Sequence, residues 1–557
     1  MNLFFAFLLS IVISIALIPL LMRYAGYFNL IDQPAGRKVH TAAIPRCGGL
    51  GLAFGALITI LLFVPMLREI RGMIWGCVVI LGFGLLDDSR ELNYKWKFLG
   101  QLLAVLIVIG GGVQLHFLPF AGLDAVSPYI TLPLTVVFAT GVINAVNLSD
   151  GLDGLAAGTM LMSFAVIAFL AIEANGMDIA VIALAVAGGI AGFLWFNTHP
   201  AVVFMGDTGS QFLGLMAVTL GIILTQHTNQ ALNPALPLLL LGLPILDTLT
   251  VMVRRIRAGR SPFSPDKTHI HHRLMEHGFT HAEAVGIIYL LQGAFLGSAL
   301  VFRYSGDLQV MSLYGSISGS ILWFLYWAAK NQWQFRVAAT DGNRRRGAAI
   351  WRKPWLFQFC RHYINIALVL FLGCQIYCLL EQLTSLWLVN FFVLSGCFLV
   401  FLLLPGKWQD YWVRFSVYLS ALFPNVMGQE FPEKAIHWHG WMDVFMLLLF
   451  AVVSIAIRIT RKSKFRMTTQ DVLVVLFVLT AMLLSDVVYI EHLTIRLLCL
   501  VYASEYLLHR NVYPFRWFRY TAAGLGILIL TMLLVLNPKY TEKGLDYTIM
   551  PVHMFSN

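Results

Sequence analysis

Five polar clusters interrupt an otherwise apolar chain, and each carries side chains suited to phosphate or to a divalent cation. Asp87-Asp88 closes the apolar run Gly82-Phe83-Gly84-Leu85-Leu86. Two adjacent carboxylates at a membrane boundary repel each other and lose hydration. A solvated helix end tolerates them; magnesium binding or base chemistry would use them. Next, Asn144, Asn147, Asp150 and Asp153 recur every third residue, ahead of Gly154. On a helix that spacing spirals around one side, and Gly151 and Gly154 allow a ligand close to the backbone. The composition is that of a calcium loop, without its twelve-residue pattern or closing Glu. A capped helix end would explain one or two of these residues. Third, Phe204-Met205-Gly206-Asp207-Thr208-Gly209-Ser210 sets a lone acid between glycines before an apolar run. Asp207 is then either a first-turn acid or a ligand for Mg²⁺, which takes one or two protein carboxylates and fills its shell with phosphate oxygens and water.

The remaining two clusters are basic. Asp266-Lys267-Thr268-His269-Ile270-His271-His272-Arg273 groups three histidines that could bind zinc. Lys267 and Arg273 beside them disfavour a closed metal site and favour an anion, and a diphosphate fits. The first polar loop holds Asp32-Gln33-Pro34, Arg37-Lys38-Val39-His40 and Ile44-Pro45-Arg46-Cys47-Gly48-Gly49-Leu50-Gly51. Lys38, His40 and Arg46, followed by glycines at a helix start, would cradle a phosphate or lipid headgroup, or simply anchor topology. Asp247 precedes Arg254 by seven residues, nearly on one face. An acid inside an apolar run is a functional candidate by default; a structural pair with Arg254 is at least as good a reading, and Asp247 receives no catalytic role.

These clusters need elements to hold them, and composition says which. Of 557 residues, 59% are hydrophobic and 12% charged, with mean hydropathy +0.77. Soluble domains carry about 25% charged residues, so most of this chain belongs in lipid. Runs such as Ile364–Leu380 are apolar on nearly every side, which excludes barrel strands that alternate every second residue. By the criterion of ~20 apolar residues per span, about eleven helices precede a basic stretch at 336–361. They fall near 3–22, 48–65, 71–86, 97–113, 130–147, 155–172, 179–195, 209–226, 234–253, 284–302 and 310–329. About six or seven more follow by the same criterion. The expected fold is an all-α polytopic membrane protein. It comprises a membrane domain over 1–330, a basic linker over 331–361 and a further transmembrane domain over 362–557.

The net charge of +10 would suggest nucleic acid in a soluble protein. Here the basic residues cluster between apolar runs, where they set topology and meet anionic lipid, so no nucleic-acid partner is expected. Met1–Met22 lacks a basic n-region and a small-residue cleavage site, and reads as a retained helix. The seven cysteines suggest no disulfide framework; Cys374 and Cys378, one turn apart, read as packing. Arg23, Arg37, Lys38 and Arg46, the basic loop 254–281 and the linker share one side by helix parity, and the positive-inside rule makes that side cytoplasmic. The acidic segments 87–91, 144–153 and 197–207 fall on the same side, although acids took no part in assigning it. A transporter would rather place its acids near the midplane at a repeat interface. A non-catalytic scaffold would leave the shared placement of the acids unexplained.

The motifs in order, Asp-Gln-Pro…Arg-Lys-Val-His…Ile-Pro-Arg-Cys-Gly-Gly, Asp87-Asp88, Asn-Leu-Ser-Asp-Gly-Leu-Asp-Gly, Phe-Met-Gly-Asp-Thr-Gly-Ser and His-Ile-His-His-Arg-Leu, resemble the polyprenyl-phosphate N-acetylhexosamine-1-phosphate transferases over residues 1–330. The likeness is to the branch that starts O-antigen and enterobacterial common antigen synthesis, since Ile270 interrupts the histidines that the peptidoglycan branch keeps as a triplet. The resemblance implies transfer from a UDP-N-acetylhexosamine, with N-acetylglucosamine leading, to undecaprenyl phosphate. The products would be undecaprenyl-diphosphate-sugar and UMP. It also implies Mg²⁺, with Mn²⁺ as the alternative, a homodimer, and the bacterial inner membrane with the active site on its cytoplasmic face. By motif, Asp207 would be the metal ligand with Asp153, and Asp150 beside them. Asp87 and Asp88 would position or deprotonate the acceptor phosphate. Asn147, His269, His271, His272 and Arg273 would hold the nucleotide sugar, and Lys38, His40 and Arg46 the acceptor. Glu91 stands where the branch often has a further Asp. Direct in-line attack is the expected route, with a covalent phospho-Asp as the alternative. Residues 362–557 carry none of these motifs; docking of glycan-pathway partners or handling of the lipid product are the readings left for them.

Overall fold

The computed structural model describes residues 2–33, 43–121, 126–261 and 268–335. Lys38, His40, Lys267, the linker from residue 336 on and the expected helices after it lie outside the described residues. Within them the chain is helical apart from one two-residue pairing. The helices are α1 (Asn2–Tyr24), α2 (Gly48–Phe63), α3 (Arg68–Arg90), α4 (Tyr94–Gly110), α5 (Pro128–Leu148), α6 (Leu155–Glu173), α7 (Met177–Asn197) and α8 (Gly206–Ile223). They continue with α9 (Leu236–Leu240), α10 (Gly242–Arg257), α11 (Ile270–Glu276), α12 (His281–Val301) and α13 (Asp307–Lys330). The strands β1 (Ile31–Asp32) and β2 (Ile44–Pro45) pair antiparallel, Ile31 opposite Pro45, and clamp the base of the first polar loop.

Each of the eleven apolar runs expected before residue 331 is helical, with differences that have local causes. The ninth run is broken: Leu241 leaves the helical region between α9 and α10 (φ −118°, ψ 25°), and Gly242 beyond it lies against Phe295. Helix α3 runs past its expected end at 86 to Arg90, so Asp87 and Asp88 sit inside its last turn. A short helix, α11, forms in the histidine loop, where none was expected. Among the described residues, eight helices are long and apolar enough to cross a membrane: α1, α3, α5, α6, α7, α8 with the π-helical turn Leu224–Thr228, α12 and α13. Helix α2, at 16 residues, is about 24 Å long at 1.5 Å per residue, short of the ~30 Å hydrocarbon core. Outward faces are apolar, as lipid requires: Leu62 is 68% exposed and Trp75 63%.

Helix α8 is the axis of the bundle. Its span is wholly buried, packed by α2, α3, α5 and α6. The approach is close because small residues meet there, as is usual where lipid supplies no hydrophobic drive between helices. A Cβ on Gly49 would lie 2.4 Å from the Gly209 backbone, and one on Gly84 2.6 Å from Thr208 Cα. Successive helices run antiparallel, so the last turns of α3, α5 and α7 meet the first turns of α4, α6 and α8 at one end of the bundle. Asp88 bonds Thr208, Asn147 bonds Ser210 and Asn197 bonds Gly154 there.

Candidate active site

At that end, one ammonium bridges two carboxylates from different helices. Lys97 Nζ lies 2.5 Å from Asp87 Oδ2 and 2.8 Å from Asp207 Oδ2. Lys97 belongs to the first turn of α4, Asp87 to the last turn of α3 and Asp207 to the first turn of α8. The other oxygen of Asp87 accepts the Leu92 N–H at 2.7 Å, which fixes the carboxylate beyond the helix end. Asn147, on α5, hydrogen-bonds Asp207 and accepts from Ser210 Oγ at 3.0 Å. Below them Gln101 bonds both Asn144 and Gln211, forming a polar layer inside the bundle.

Asp88 does different work from its neighbour. Its carboxylate accepts the Asp207 N–H at 2.8 Å, the Thr208 N–H at 3.0 Å and the Thr208 hydroxyl at 2.6 Å. A helix start leaves its first N–H groups without intrahelical partners, and Asp88 caps α8 from α3. Gly206 makes this contact possible: it has φ +71°, and a Cβ there would lie 2.5 Å from Asp88 Oδ2. Asp150 is half-buried after the end of α5. Burial, then the charges of Asp207, Asp88 and Asp153, push its pKa up to about 7.

Asp153 is held by other partners. His199 Nδ1 lies 2.7 Å from its Oδ2, the Ala201 N–H donates to the same oxygen at 3.1 Å, and His281 Nε2 lies 3.2 Å from its carbonyl. Burial opposes ionisation of Asp153, but these hydrogen bonds and the nearby imidazoles hold its pKa below the usual carboxylate value. The three-residue spacing thus follows a helix only as far as Asn147, because α5 ends at Leu148. Gly151 serves a close approach, but to protein: a Cβ on it would lie 2.4 Å from His271 Nε2.

The histidine loop is ordered by Asp247. That carboxylate takes His269 Nδ1 at 2.9 Å and the Ile270 N–H at 2.8 Å. The expected partner of Asp247 was Arg254; the start of α11 takes that place. His269 and His271 stack with ring centres 5.7 Å apart, and His272 lies 4.2 Å from His271. His271 is buried, and its Nε2 has no hydrogen-bond partner among the described residues. Burial, then the neighbouring His272, push its pKa down to about 3, so it is neutral at physiological pH. Arg273 donates to the Leu325 carbonyl at 2.7 Å, tying α11 to α13.

The first loop also differs from expectation. Arg46 is ion-paired with Asp32 across β1 and β2. Gly48 and Gly49 spend their N–H groups on the Phe204 and Met205 carbonyls, each at 3.0 Å. They therefore do not cradle an anion; they seat α2 against the loop that delivers Asp207. Glu91 is exposed and left-handed at the end of α3, with φ +48°. Sequence reasoning missed Lys97, Thr208 and His199. Lys97 alone had a usable signal, as a cation in the first turn of a helix that follows an acidic pair.

Fold and site together define a polytopic membrane protein with carboxylate and lysine side chains gathered at one end of its helices. Residues 70–225 match the family model described as glycosyl transferase family 4. The chain is 36% identical over 301 residues to a "Probable undecaprenyl-phosphate N-acetylglucosaminyl 1-phosphate transferase" of Bacillus subtilis (strain 168), covering 54% of this chain and 84% of that one. It is 38% identical over 317 residues to a decaprenyl-phosphate N-acetylglucosaminephosphotransferase of Mycolicibacterium smegmatis, covering 50% and 77%. With the undecaprenyl-phosphate alpha-N-acetylglucosaminyl 1-phosphate transferase of Escherichia coli (strain K12) it shares 29% over 294 residues, covering 51% and 79%. The chain belongs to glycosyl transferase family 4.

Proposed function

We propose that this protein transfers N-acetylglucosamine 1-phosphate from UDP-N-acetylglucosamine to undecaprenyl phosphate, releasing UMP, at the cytoplasmic face of a bacterial inner membrane. The observation that carries the reading is the joining of Asp87 and Asp207 by Lys97 at one end of membrane helices, in a chain whose relatives are named for this transfer.

A divalent cation fits the donor set. Asp87 and Asp207 flank a single ammonium, Asp88 and Asp150 lie within electrostatic reach of Asp207, and Asn147 adds an amide. All are hard oxygen donors, the kind Mg²⁺ takes, with Mn²⁺ also suited. Asp207 and Asp87 would hold the ion, with Asp150 beside them. When bound, it would neutralise charge on the phosphates. The acceptor phosphate oxygen attacks the sugar-linked phosphorus of the donor. The new P–O bond forms as the bond to the UMP oxygen breaks, and UMP leaves carrying that electron pair. Phosphoryl transfer of this kind depends on positioning and charge neutralisation. Lys97 supplies a fixed positive charge among the acids, and Asp88 holds the start of α8 so that Asp207 stays in place. The acceptor needs little activation, because a phosphate monoester's second pKa is about 6. Both oxygens of Asp88 are engaged by the first donors of α8, which supports direct displacement over a covalent phospho-Asp at that residue. Residues 362–557 carry none of the motifs, and if they are accessory, removing Trp355–Asn557 is expected to leave transfer largely intact.

The test is transfer of labelled sugar phosphate to undecaprenyl phosphate by purified protein with Mg²⁺ and a panel of UDP-sugars. Labelled lipid and UMP, both lost in Asp207→Asn, are the expected result. No transfer from any donor, in folded protein supplied with lipid, would overturn the reading and favour a transporter. A phosphorylated Asp87 or Asp88 trapped in one turnover would overturn direct displacement.

A further inference from the structure

Three segments far apart in the chain bring a carboxylate and two imidazoles together outside the oxygen set just described. Asp153 comes from the turn between α5 and α6, His199 from the turn between α7 and α8, and His281 is the first residue of α12. One ligand atom from each lies within 4.8 Å of the other two. Asp153 Oδ2 and His199 Nδ1 are 2.7 Å apart, and the two rings lie 4.1 Å apart at 21°. We propose that Asp153, His199 and His281 form a binding site for a divalent transition-metal ion of the zinc class, separate from the magnesium set at Asp207.

The donor chemistry separates the two sites. Mg²⁺ selects oxygen ligands, whereas imidazole suits Zn²⁺ and its first-row neighbours. Two histidines and one carboxylate, with a further position left to water, is a known zinc ligand count. At ligand distances near 2.0–2.1 Å, tetrahedral ligand atoms stand ~3.3 Å apart. The 2.7 Å contact lies below that value, and the ligand atoms all lie within 4.8 Å of one another. The His199 side chain, 47% exposed, has room to rotate. That exposure also leaves a face for water and a path for the ion.

The supports are in place. The Ala201 N–H donates to the Asp153 carboxylate, and outer-shell bonds of this kind orient metal ligands. Thr280 and Glu283 close a capping box at the start of α12, which fixes the backbone under His281. The Asp153 carbonyl, 3.2 Å from His281 Nε2, is a further oxygen nearby. An ion here would tie α12 to the turns bearing Asp150 and leading to Asp207, bracing the oxygen set without entering it. The metal site itself stands whether or not the proposed transfer is correct.

The experiment uses full-length, untagged protein in detergent, stripped with chelator and then titrated with Co²⁺. The expected result is visible d–d absorption saturating at one Co²⁺ per chain, displaced by Zn²⁺ but not by excess Mg²⁺. X-ray absorption of the zinc form should count two imidazoles. The saturating band should disappear in His199→Ala and in His281→Ala, while Zn²⁺ raises the melting temperature of the unsubstituted chain but not of His199→Asn. Retention of the band in the double Ala variant would put the ion on other histidines and overturn the proposal. Folded, unsubstituted protein with no saturable Co²⁺ band, or a zinc shell without two imidazoles, would also overturn it, leaving Asp153 and its partners as a hydrogen-bonded tie between loops. These spectroscopic readouts do not depend on transfer, so failure of the metal site and failure of the transferase reading remain distinguishable.

Discussion

Two groups of polar side chains share one end of the bundle, and they are built from different atoms. Around Lys97 stand carboxylates and amides: Asp87, Asp207, Asn147 and the Asp88 cap. Around Asp153 and Asp247 stand imidazoles: His199, His281, His269 and His271. The oxygen group converges on the first turn of α8, the most buried helix, and every member comes from a helix end. The imidazole group lies on loops, on the short α11 and at the start of α12. The difference teaches where rigidity is placed. The carboxylates gather against the most buried helix, and the histidine side relies on carboxylates to orient its rings.

Removing charge from the oxygen group gives the largest expected effect. Asp207→Asn should lower transfer by ~10²–10³-fold, the scale for losing one electrostatic contact to a developing charge. Lys97→Met should fall in the same range; transfer unchanged in a folded Lys97→Met protein would remove Lys97 from the site. Asp88→Asn tests whether the two members of the pair differ. Its cost should appear as stability, about 1–3 kcal/mol for weakened bonds to buried donors, read by denaturant unfolding, with a smaller loss of transfer than Asp207→Asn causes. Equal loss of transfer at unchanged stability would make Asp88 a direct participant.

On the imidazole side the expected effects are smaller. Asp247→Ala strips acceptors from His269 Nδ1 and the Ile270 N–H. It should destabilise by ~1–3 kcal/mol and expose the histidine loop to hydrogen exchange before the core. The smallest effect concerns pH. His271 moves from an ordinary 6.5 to about 3 on folding, through burial and the neighbouring His272. Between those values the unfolded chain binds a proton that the folded chain does not. The contribution of a neutral His271 is therefore fully present above pH 6.5 and declines as pH falls toward 3. His271→Asn should flatten that part of the stability profile. An unchanged slope would mean that His271 is protonated in place.

Much of this was legible in the sequence because the signals were local. Runs of about 20 apolar residues mark spans wherever they occur, and the family motifs around Asp87, Asp150 and Asp207 are contiguous. Arg and Lys counts alone predicted that the acidic loops would share a face, and the structure gathers them at one end of the helices. Where local signals ended, expectations slipped. The spacing Asn144, Asn147, Asp150, Asp153 described one helix face, but α5 stops at Leu148 and sends Asp153 to His199. Gly48 and Gly49 suggested a phosphate cradle, but their N–H groups meet α8's approach loop.

The sequence by itself determined that this is an all-α membrane chain of the sugar-1-phosphate transferase kind, because hydropathy and contiguous motifs are properties of neighbouring residues. Only the tertiary structure decided which acids act together: that Asp88 caps α8 while Asp87 meets Lys97, and that Asp247 holds His269. Those pairings span 10 to 120 residues. They follow from which helix ends pack around α8, and no spacing along the chain encodes that.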